Sequence, residues 1–562
     1  MNNVDIAEII ELAGKLLELH DQDEARAKTY AGSVYNLERL DENLAEMTET
    51  ELLKIRGIGK LMASNILEIV RTGKLAELEN LIAQTPPGVF EMFKVKGLGV
   101  KKIKVLWTEL GIDNLNELKI ACTNGKIAGI KGFGEKTQQS ILEALVFLQS
   151  QEGKLRMDKA AYLSREILSE IQKLFPQAIE VGQVKRNCET VDCLQFMIPS
   201  DQRVILSLPK DTFVQNFKIS SPGVWRGNYA ENKVKIEILT VKNAELVSKS
   251  ILFNASEKHL QLTNAEGQFL LKHLQTGVFE SEEQAYSTFG MPYIVPEMRE
   301  GNGEFEWAAN NKNEDLITWS HLKGSLHNHS TYSDGRHTLR EMAEFCRSLG
   351  LEYFGIADHS QTATYAQGLT AGDVVKQQEE IDKLNAGLAP FKILKGIESD
   401  ILINGDLDYE PEILATFDYV VASVHAVLGM DIEKATARLI KAIENPYTTI
   451  LGHPTGRLLL SRSGYPLHFK KIIDACAANQ VVMEINASPY RLDLDWRWIS
   501  YCLEKEVMLS INPDAHETAG FYDMNYGVAV ARKGGLTWQK TFNALSLKDM
   551  EAYLLKKRGI TV

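Results

Sequence analysis

The sequence predicts a multidomain α/β protein, helical at the front, mixed α+β in the middle and a parallel barrel or wound sheet at the end. Three observations carry this. The chain has 562 residues, several times the roughly 100–200 that one domain holds. Up to about residue 150, apolar residues recur at helical spacing and are interrupted by three Gly-x-Gly turns. From Leu322 onward, short apolar runs alternate with amphipathic stretches, and a His, Asp or Glu stands at or just after the end of run after run, which is where α/β folds carry their functional side chains.

Composition narrows the function classes. An apolar share of 44% with 24% charged residues is ordinary for a soluble globular protein. The net charge of -13 argues against holding nucleic acid by bulk electrostatics and leaves only local basic patches for that purpose. Cys122, Cys188, Cys193, Cys346, Cys476 and Cys502 include no C-x-x-C pair, so neither a disulfide framework nor a thiolate zinc site is expected. The N-terminus is acidic and helical in period, and no apolar run is long enough to span a bilayer. A cytoplasmic protein with no membrane contact is expected, and no protein partner can be inferred.

The front region opens with two amphipathic helices carrying Ile6, Ile9, Ile10, Ala13, Leu16 and Leu17. Then one pattern occurs three times: Ile55-Arg56-Gly57-Ile58-Gly59-Lys60, Val95-Lys96-Gly97-Leu98-Gly99-Val100 and Ile130-Lys131-Gly132-Phe133-Gly134-Glu135, each ahead of a helical segment. Gly-apolar-Gly before a helix is the helix-hairpin-helix pattern, in which glycines let backbone N–H groups approach a DNA phosphate at a helix N-terminus. Gly57, Gly59, Lys60, Gly97, Gly99, Lys101, Gly132 and Gly134 are the expected DNA-contacting positions. Lys94, Lys96, Lys101, Lys102 and Lys104, with no acid among them, suit a local phosphate track.

In the middle, residues 158–175 have the period of an amphipathic helix, and apolar runs at 178–184, 191–198, 203–208 and 234–241 have that of strands. Residues 300–315, rich in Asn, Glu and Gly, predict a linker.

The last region begins with His327-Asn328-His329 and Ser333-Asp334-Gly335, three metal-competent side chains in a short stretch. Asp358-His359, Gly396-Ile397-Glu398, Ser423-Val424-His425, Gly452-His453-Pro454 and Asp514-Ala515-His516 follow. Imidazole and carboxylate donors in this number suit Zn2+ or Mn2+, with Mg2+ as a further option, and closely spaced metals suit hydrolysis of phosphate esters. A lone histidine is more often packed or exposed than ligating, and His321, His337 and His468 are expected to be of that ordinary kind. Arg457, Arg462 and Arg491 are candidates for clamping a phosphate, because guanidinium pairs with it bidentately.

Two resemblances tie these regions together. Gly182-Gln183-Val184-Lys185-Arg186-Asn187-Cys188-Glu189-Thr190-Val191 resembles the palm motif of the family X DNA polymerases. Leu252-Phe253-Asn254-Ala255-Ser256 and Met291-Pro292-Tyr293-Ile294-Val295-Pro296 resemble later family stretches. The ligand series from His327 to His516 resembles the PHP (polymerase and histidinol phosphatase) domain that ends the bacterial PolX proteins. The resemblance implies four regions: residues 1–152 helical with hairpins, 153–242 palm, 243–318 thumb-like with linker, and 319–562 a PHP domain, a distorted seven-stranded (β/α) barrel. It implies about three divalent ions. His327, His329, Glu398 and Asp514 would hold the first and Asp334, His359 and His516 the second. Glu398 would bridge to a third held by His425 and His453, and all nine would be catalytic.

Against the family pattern, the palm departs where polymerisation needs carboxylates. The two expected aspartates fall on Cys193 and Gln195, the third on Lys235, and the phosphate-holding serine on Gln183. A lysine repels the cation that a ligand there would bind. Neighbouring Asp192 and Glu237 are not expected to substitute, since a one-residue offset on a strand reverses the face. The lysine of the family's deoxyribose-phosphate lyases falls on Asn65, with Lys60 nearby. The resulting expectation is a metal-dependent phosphoesterase acting on DNA in repair, as a 3′-5′ exonuclease or 3′-end processor, with a polymerase core that serves DNA binding. The alternatives are an active gap-filling polymerase with a PHP exonuclease, and a small-molecule phosphatase of the histidinol-phosphate kind.

Overall fold

Helix pairs turned by glycine build the first unit, Met1–Gln151, and a mixed sheet and a barrel build the second, Glu152–Val562. The computed structural model describes residues 3–38, 40, 42–55, 57–95, 97–202, 214–229 and 234–559. Arg56, Lys96 and the apolar run 203–208 lie outside the described residues. Among the described residues, no helix is long and apolar enough to cross a membrane.

In the first unit, helices Asn3–Leu19 and Glu24–Glu38 bury Ile6, Ile10, Ala13 and Leu17 against Tyr30. Gly14 permits the close crossing, since a Cβ there would meet Tyr30 Cβ at 3.0 Å. Helices Lys60–Thr72, Val100–Lys104 and Gly134–Gln151 follow the three predicted turns. Asn65, at the position of the family's lyase lysine, is buried. Its amide donates to the Tyr30 hydroxyl at 2.5 Å, and that hydroxyl donates to Glu77 at 3.2 Å. The site that would need an amine holds a satisfied polar network, while Lys60 is exposed.

The second unit begins with β1 (Leu155–Arg156), helix Met157–Leu174, β2 (Ile179–Val181), β3 (Thr190–Val191) and β4 (Cys193–Pro199). Among the described residues, β5 (Val214–Ser221), β6 (Val224–Tyr229) and β7 (Lys235–Val241) complete a five-stranded sheet of order β2-β4-β7-β6-β5. Strand alternation sends Leu194, Phe196, Ile198, Ile236 and Ile238 to one face, where they are buried with Ala160, Ile167 and Ile171 of the helix. β4 and β7 pair in parallel with Cys193 opposite Lys235 and Gln195 opposite Glu237, so these four share the other face. This corrects the expectation for Glu237. It lies two residues from Lys235, not one, and so stands on the face where a metal ligand would stand. It is already engaged, accepting from Arg226 Nε at 2.6 Å and Gln195 Nε2 at 3.2 Å. Gln183 is turned inward, its Oε1 accepting from the backbone of Asp192 at 2.8 Å and Cys193 at 3.3 Å.

Short helices Leu246–Phe253, Leu270–Thr276 and Glu282–Thr288 follow, packed around Ile251, Leu274, Tyr286 and Phe289. The stretch predicted as a linker is folded. Glu304 caps it by accepting from the backbone of Gly301 and Asn302, and helix Glu304–Asn310 follows. Trp307 Nε1 donates to Gly535 O at 2.8 Å, and Glu304 meets the buried His259 at 2.6 Å. The high Asn and Gly content concealed these two anchoring side chains, Glu304 and Trp307.

The barrel has three strands in one sheet, β8 (Gly324–Ser325), β9 (Tyr353–Gly355) and β10 (Lys392–Leu394), all parallel. Five more form a second parallel sheet in sequence order: β11 (Gly396–Asp400), β12 (Tyr419–Ser423), β13 (Ile450–Leu451), β14 (Val482–Asn486) and β15 (Leu509–Asn512). β10 and β11 are one run broken at Lys395. Bridges His359↔Glu398 and Asn328↔Ala515 join the sheets on both sides and close a barrel of seven staves. Its interior floor is filled by Tyr419, whose hydroxyl reaches Leu326 O and Ile356 O, each at 2.8 Å. Gly355 and Gly396 make room for it, since a Cβ on either would strike the Tyr419 ring.

The palm turn is bolted to the barrel. Lys533, on helix Met524–Lys533, has its side chain 1% exposed. Its Nζ donates to Arg186 O at 3.0 Å and to Glu300, which also takes Arg186 Nη1 at 2.8 Å. Arg497 meets Glu189 at 3.1 Å, and Arg532 meets Glu297 at 2.7 Å. Removing one partner of a buried charge group leaves the others uncompensated. Lys533→Met is expected to lower stability by about 3 kcal/mol, read as a fall in the midpoint of denaturant unfolding, with most of the loss restored by adding Glu300→Gln.

Candidate metal centre

The barrel's C-terminal rim gathers all nine side chains singled out in the sequence. His327 and His329 alternate with Asn328 on an extended segment, so both rings face inward. Asn328 faces away and donates to Gly355 O at 2.9 Å while accepting from Ser325 at 3.0 Å. Asp334 arrives on a loop that folds back tightly: Gly335 N donates to Ser330 O at 2.9 Å, and a Cβ at Gly335 would strike His329 O. Asp514 has φ 56°, a left-handed turn that Asp tolerates better than most residues. His359, His425 and His453 stand just past β9, β12 and β13.

Four overlapping groups have their donor atoms within 4.8 Å of one another: His329, Asp334, His359 and His516; His327, His453 and Asp514; His327, His329 and Glu398; and His359, Glu398 and His425. Glu398 is 1% exposed and lies 3.0–3.7 Å from ring nitrogens of His327, His329, His359, His425 and His453. Asp334 lies 3.3 Å from His516 and 3.6 Å from His359. Asp514 takes His329 Nε2 at 3.0 Å.

Burial opposes charge on His329, which, stacked between His359 and His516 at 4.5 and 4.2 Å, is pushed down to about 3. Burial also works against His425, yet Glu398 and Asp400 raise it to about 10; Asp334 and Asp514 carry His516 to about 9. Burial pushes Glu398 and Asp514 up, but the surrounding imidazoles hold both well below the usual carboxylate range. Buried His327 Nε2, His329 Nδ1, His359 Nδ1 and Glu398 Oε2 have no hydrogen-bond partner among the described residues. Unsatisfied buried donor atoms of this kind, converging on one point, fit divalent cations.

A second ring of residues orients the first; Asp358 belongs to the Asp358-His359 motif, whereas Glu484 and Asp400 were not singled out in the sequence. Glu484 accepts from His327 Nδ1 at 2.7 Å, from the backbone of His453 at 2.7 Å and from Asn512 at 3.0 Å. Asp400 holds His425 Nδ1. Asp358 ties down the Asp334 loop by accepting from Ser330 N, Ser330 Oγ and Ser333 Oγ, and it also accepts from Gln377 Nε2. A fully buried charge in Val482-Met483-Glu484-Ile485, an otherwise apolar strand, was the available signal for Glu484.

The three arginines separate. Arg457 donates to Arg491 O at 2.9 Å, Leu492 O and Asp495 at 2.8 Å. Arg462 donates twice to Gly456 O, at 2.8 and 3.1 Å. Arg491 alone of the three reaches a cluster carboxylate, 3.6 Å from Asp514 Oδ2. His321 stacks on Trp538, His468 meets Glu433, and His337 accepts from Thr518 N, all outside the cluster.

In the first unit, Gly57, Gly97 and Gly132 have φ 95°, 88° and 93°, which favours glycine. Gly59 and Gly99 have φ -87° and -80°, which any residue adopts. A Cβ on any of these, or on Gly134, would meet nothing within 4 Å. At Gly59 and Gly99 neither strain nor crowding inside the fold calls for glycine. Lys60 and Lys101, at the following helix starts, are exposed.

A closed parallel barrel with this rim defines a protein with a PHP domain, and residues 325–488 match the PHP domain. Residues 1–75 match the helix-hairpin-helix domain and residues 90–146 the SAM-like helix-hairpin-helix tandem. Over 99% of its length the chain is similar to the DNA polymerase/3′-5′ exonuclease PolX of Bacillus subtilis (strain 168), 35% identical with 99% of that protein covered. It belongs to the bacterial PolX family. The chain is also similar to a probable phosphatase of Thermoanaerobacter sp. (strain X514), 28% identical over 44% of this chain and 96% of that protein.

Carboxylates behind metal-bound histidines fix the ring and raise its basicity, and losing one typically costs 10- to 100-fold in metal affinity. Glu484→Gln is expected to weaken Zn2+ or Mn2+ binding by about that factor, measured by competition with a metal indicator.

Proposed function

We propose that the protein is a metal-dependent phosphodiesterase that removes nucleotides from, or cleans, the 3′ end of DNA in the cytoplasm, with the barrel rim as its active centre. The observation that carries this is the contrast between two faces. The rim converges nine donors with unsatisfied buried atoms, whereas the palm presents Cys193, Gln195, Lys235 and a Glu237 neutralised by Arg226. About three divalent ions of the zinc or manganese class would be held by His327, His329, Glu398 and Asp514, by Asp334, His359 and His516, and by Glu398 with His425 and His453. When bound, they supply Lewis acidity and acidify water near neutral pH. The chain's residues do the rest. Glu398 and Asp514 hold the imidazoles in place, Asp334 is carried on a loop that Asp358 anchors, and Arg491 meets a phosphate oxygen beside Asp514. Arg457 and Arg462 shape the loop beneath it. Gly57, Gly59, Gly97, Gly99, Gly132 and Gly134 bring backbone N–H groups to the DNA backbone, with Lys60 and Lys101 beside them.

The palm supports no nucleotide transfer on this reading. Extension of a primed gap with Mg2+ or Mn2+ is expected to fail, while 3′-recessed and gapped DNA lose terminal nucleotides. The loss stops with chelator and falls at least 100-fold in Asp514→Asn, and elemental analysis gives about three ions per chain. Primer extension that survives Asp514→Asn and disappears in a palm variant overturns this assignment. Likeness to the probable phosphatase over 44% of this chain favours a second reading, a small-molecule phosphatase. Faster turnover of sugar or amino-alcohol phosphates than of DNA ends decides for it.

A further inference from the structure

Two tyrosines stand at the mouth of the metal centre with much of their rings open to solvent: Tyr365 is 59% exposed and Tyr490 is 54% exposed. The Tyr365 ring lies 6.0 Å from the His359 ring and 6.4 Å from the His425 ring, centroid to centroid. Tyr490 precedes Arg491, whose guanidinium reaches the other side of the cluster at Asp514.

Tyr490 is also held rigid from an unexpected quarter. Arg156, at the start of the helix that packs on the palm sheet, lays its guanidinium 3.6 Å from the Tyr490 ring centroid. That guanidinium is pinned by Asp158, with Nε to Oδ1 at 3.2 Å and Nη2 to Oδ2 at 3.0 Å. The backbone of the turn is fixed too, since Tyr490 O accepts from Leu459 N at 2.6 Å and Arg491 O accepts from Arg457 Nε at 2.9 Å. One face of the ring is therefore braced by a cation while the ring stays half open to solvent. A flat aromatic side chain, immobilised beside a phosphate-handling centre, is what stacking a nucleobase requires.

We infer that Tyr490, braced by Arg156, and Tyr365 are base-stacking platforms that position the nucleotides on either side of the scissile phosphate. This rests on the phosphodiesterase reading above. It also gives the palm segment a part in that site, because Arg156 lies outside the barrel and completes one platform. Loss of a base–aromatic stack weakens binding by roughly 5- to 100-fold, and the effect belongs to the base and not to the phosphate.

The test uses the full chain and a single-stranded oligonucleotide with phosphorothioate linkages at its 3′ end and 2-aminopurine in the last or penultimate position. The unaltered protein is expected to quench the fluorescence on binding. Tyr490→Leu and Tyr365→Leu are expected to lose the quenching at one position each, and to raise KM on the unmodified oligonucleotide at least 5-fold with kcat changed less than 2-fold. Phe at either position restores both, and Arg156→Ala gives part of the Tyr490→Leu defect. With the last two nucleotides abasic, the variants bind like the unaltered protein. Equal quenching and equal KM in both Leu variants overturn the inference, as does an undiminished defect on the abasic oligonucleotide. If the unaltered protein binds and quenches but cleaves no oligonucleotide, the phosphodiesterase reading fails while the platforms stand.

Discussion

Glu398 places one buried carboxylate within 4 Å of five imidazoles, and the architecture of the second unit follows from keeping it there. An ionised carboxylate at 1% exposure is tolerable only where opposite charge surrounds it. The barrel supplies that surrounding by ending strands at one level around a closed ring, so that rings from β9, β12 and β13 and from the segment after β8 converge on a residue of β11. Closure is what makes the levels match. The Tyr419 hydroxyl beneath ties the first two staves together at their carbonyls, and the glycines at 355 and 396 exist for its ring. The charge at the rim and the packing at the floor are thus one design.

The palm makes the opposite use of polar groups. Where the rim leaves donor atoms unsatisfied, the palm face closes its groups on one another: Gln195 on Glu237, Glu237 on Arg226, Gln183 on two backbone amides. Its remaining turn is committed to holding the barrel through Arg186, Glu300 and Lys533. Carboxylate and amide oxygens already engaged in this way have less electrostatic reason to recruit a cation than the unpaired atoms of the rim.

Much of this was legible from the chain. Periodicity located the barrel strands and helices because each strand there is buried on both faces and reads as an apolar run ending in a polar ligand. The nine rim residues were legible because imidazole and carboxylate at strand ends have few other uses. What escaped was of two kinds. Glu484 and Asp400 act through a histidine placed far away in sequence, and only folding brings them to it. Residues 300–315 failed for a different reason: Glu304 and Trp307 anchor the stretch through partners 45 and 228 positions away, and local composition is blind to that. Glu237 failed by register, since its face is fixed by counting from Lys235 and not from the neighbouring strand.

The inward turn of Gln183 has a consequence for substitution on this face. Its amide is the partner of the Asp192 and Cys193 backbone N–H groups, so a serine at that position, too short to reach both, would leave half-buried donors without this acceptor. Carboxylates at Cys193, Gln195 and Lys235 would crowd acid against Glu237. A serine at Gln183, or added acid at Cys193, Gln195 or Lys235, therefore costs stability on a face whose polar groups are already committed to one another.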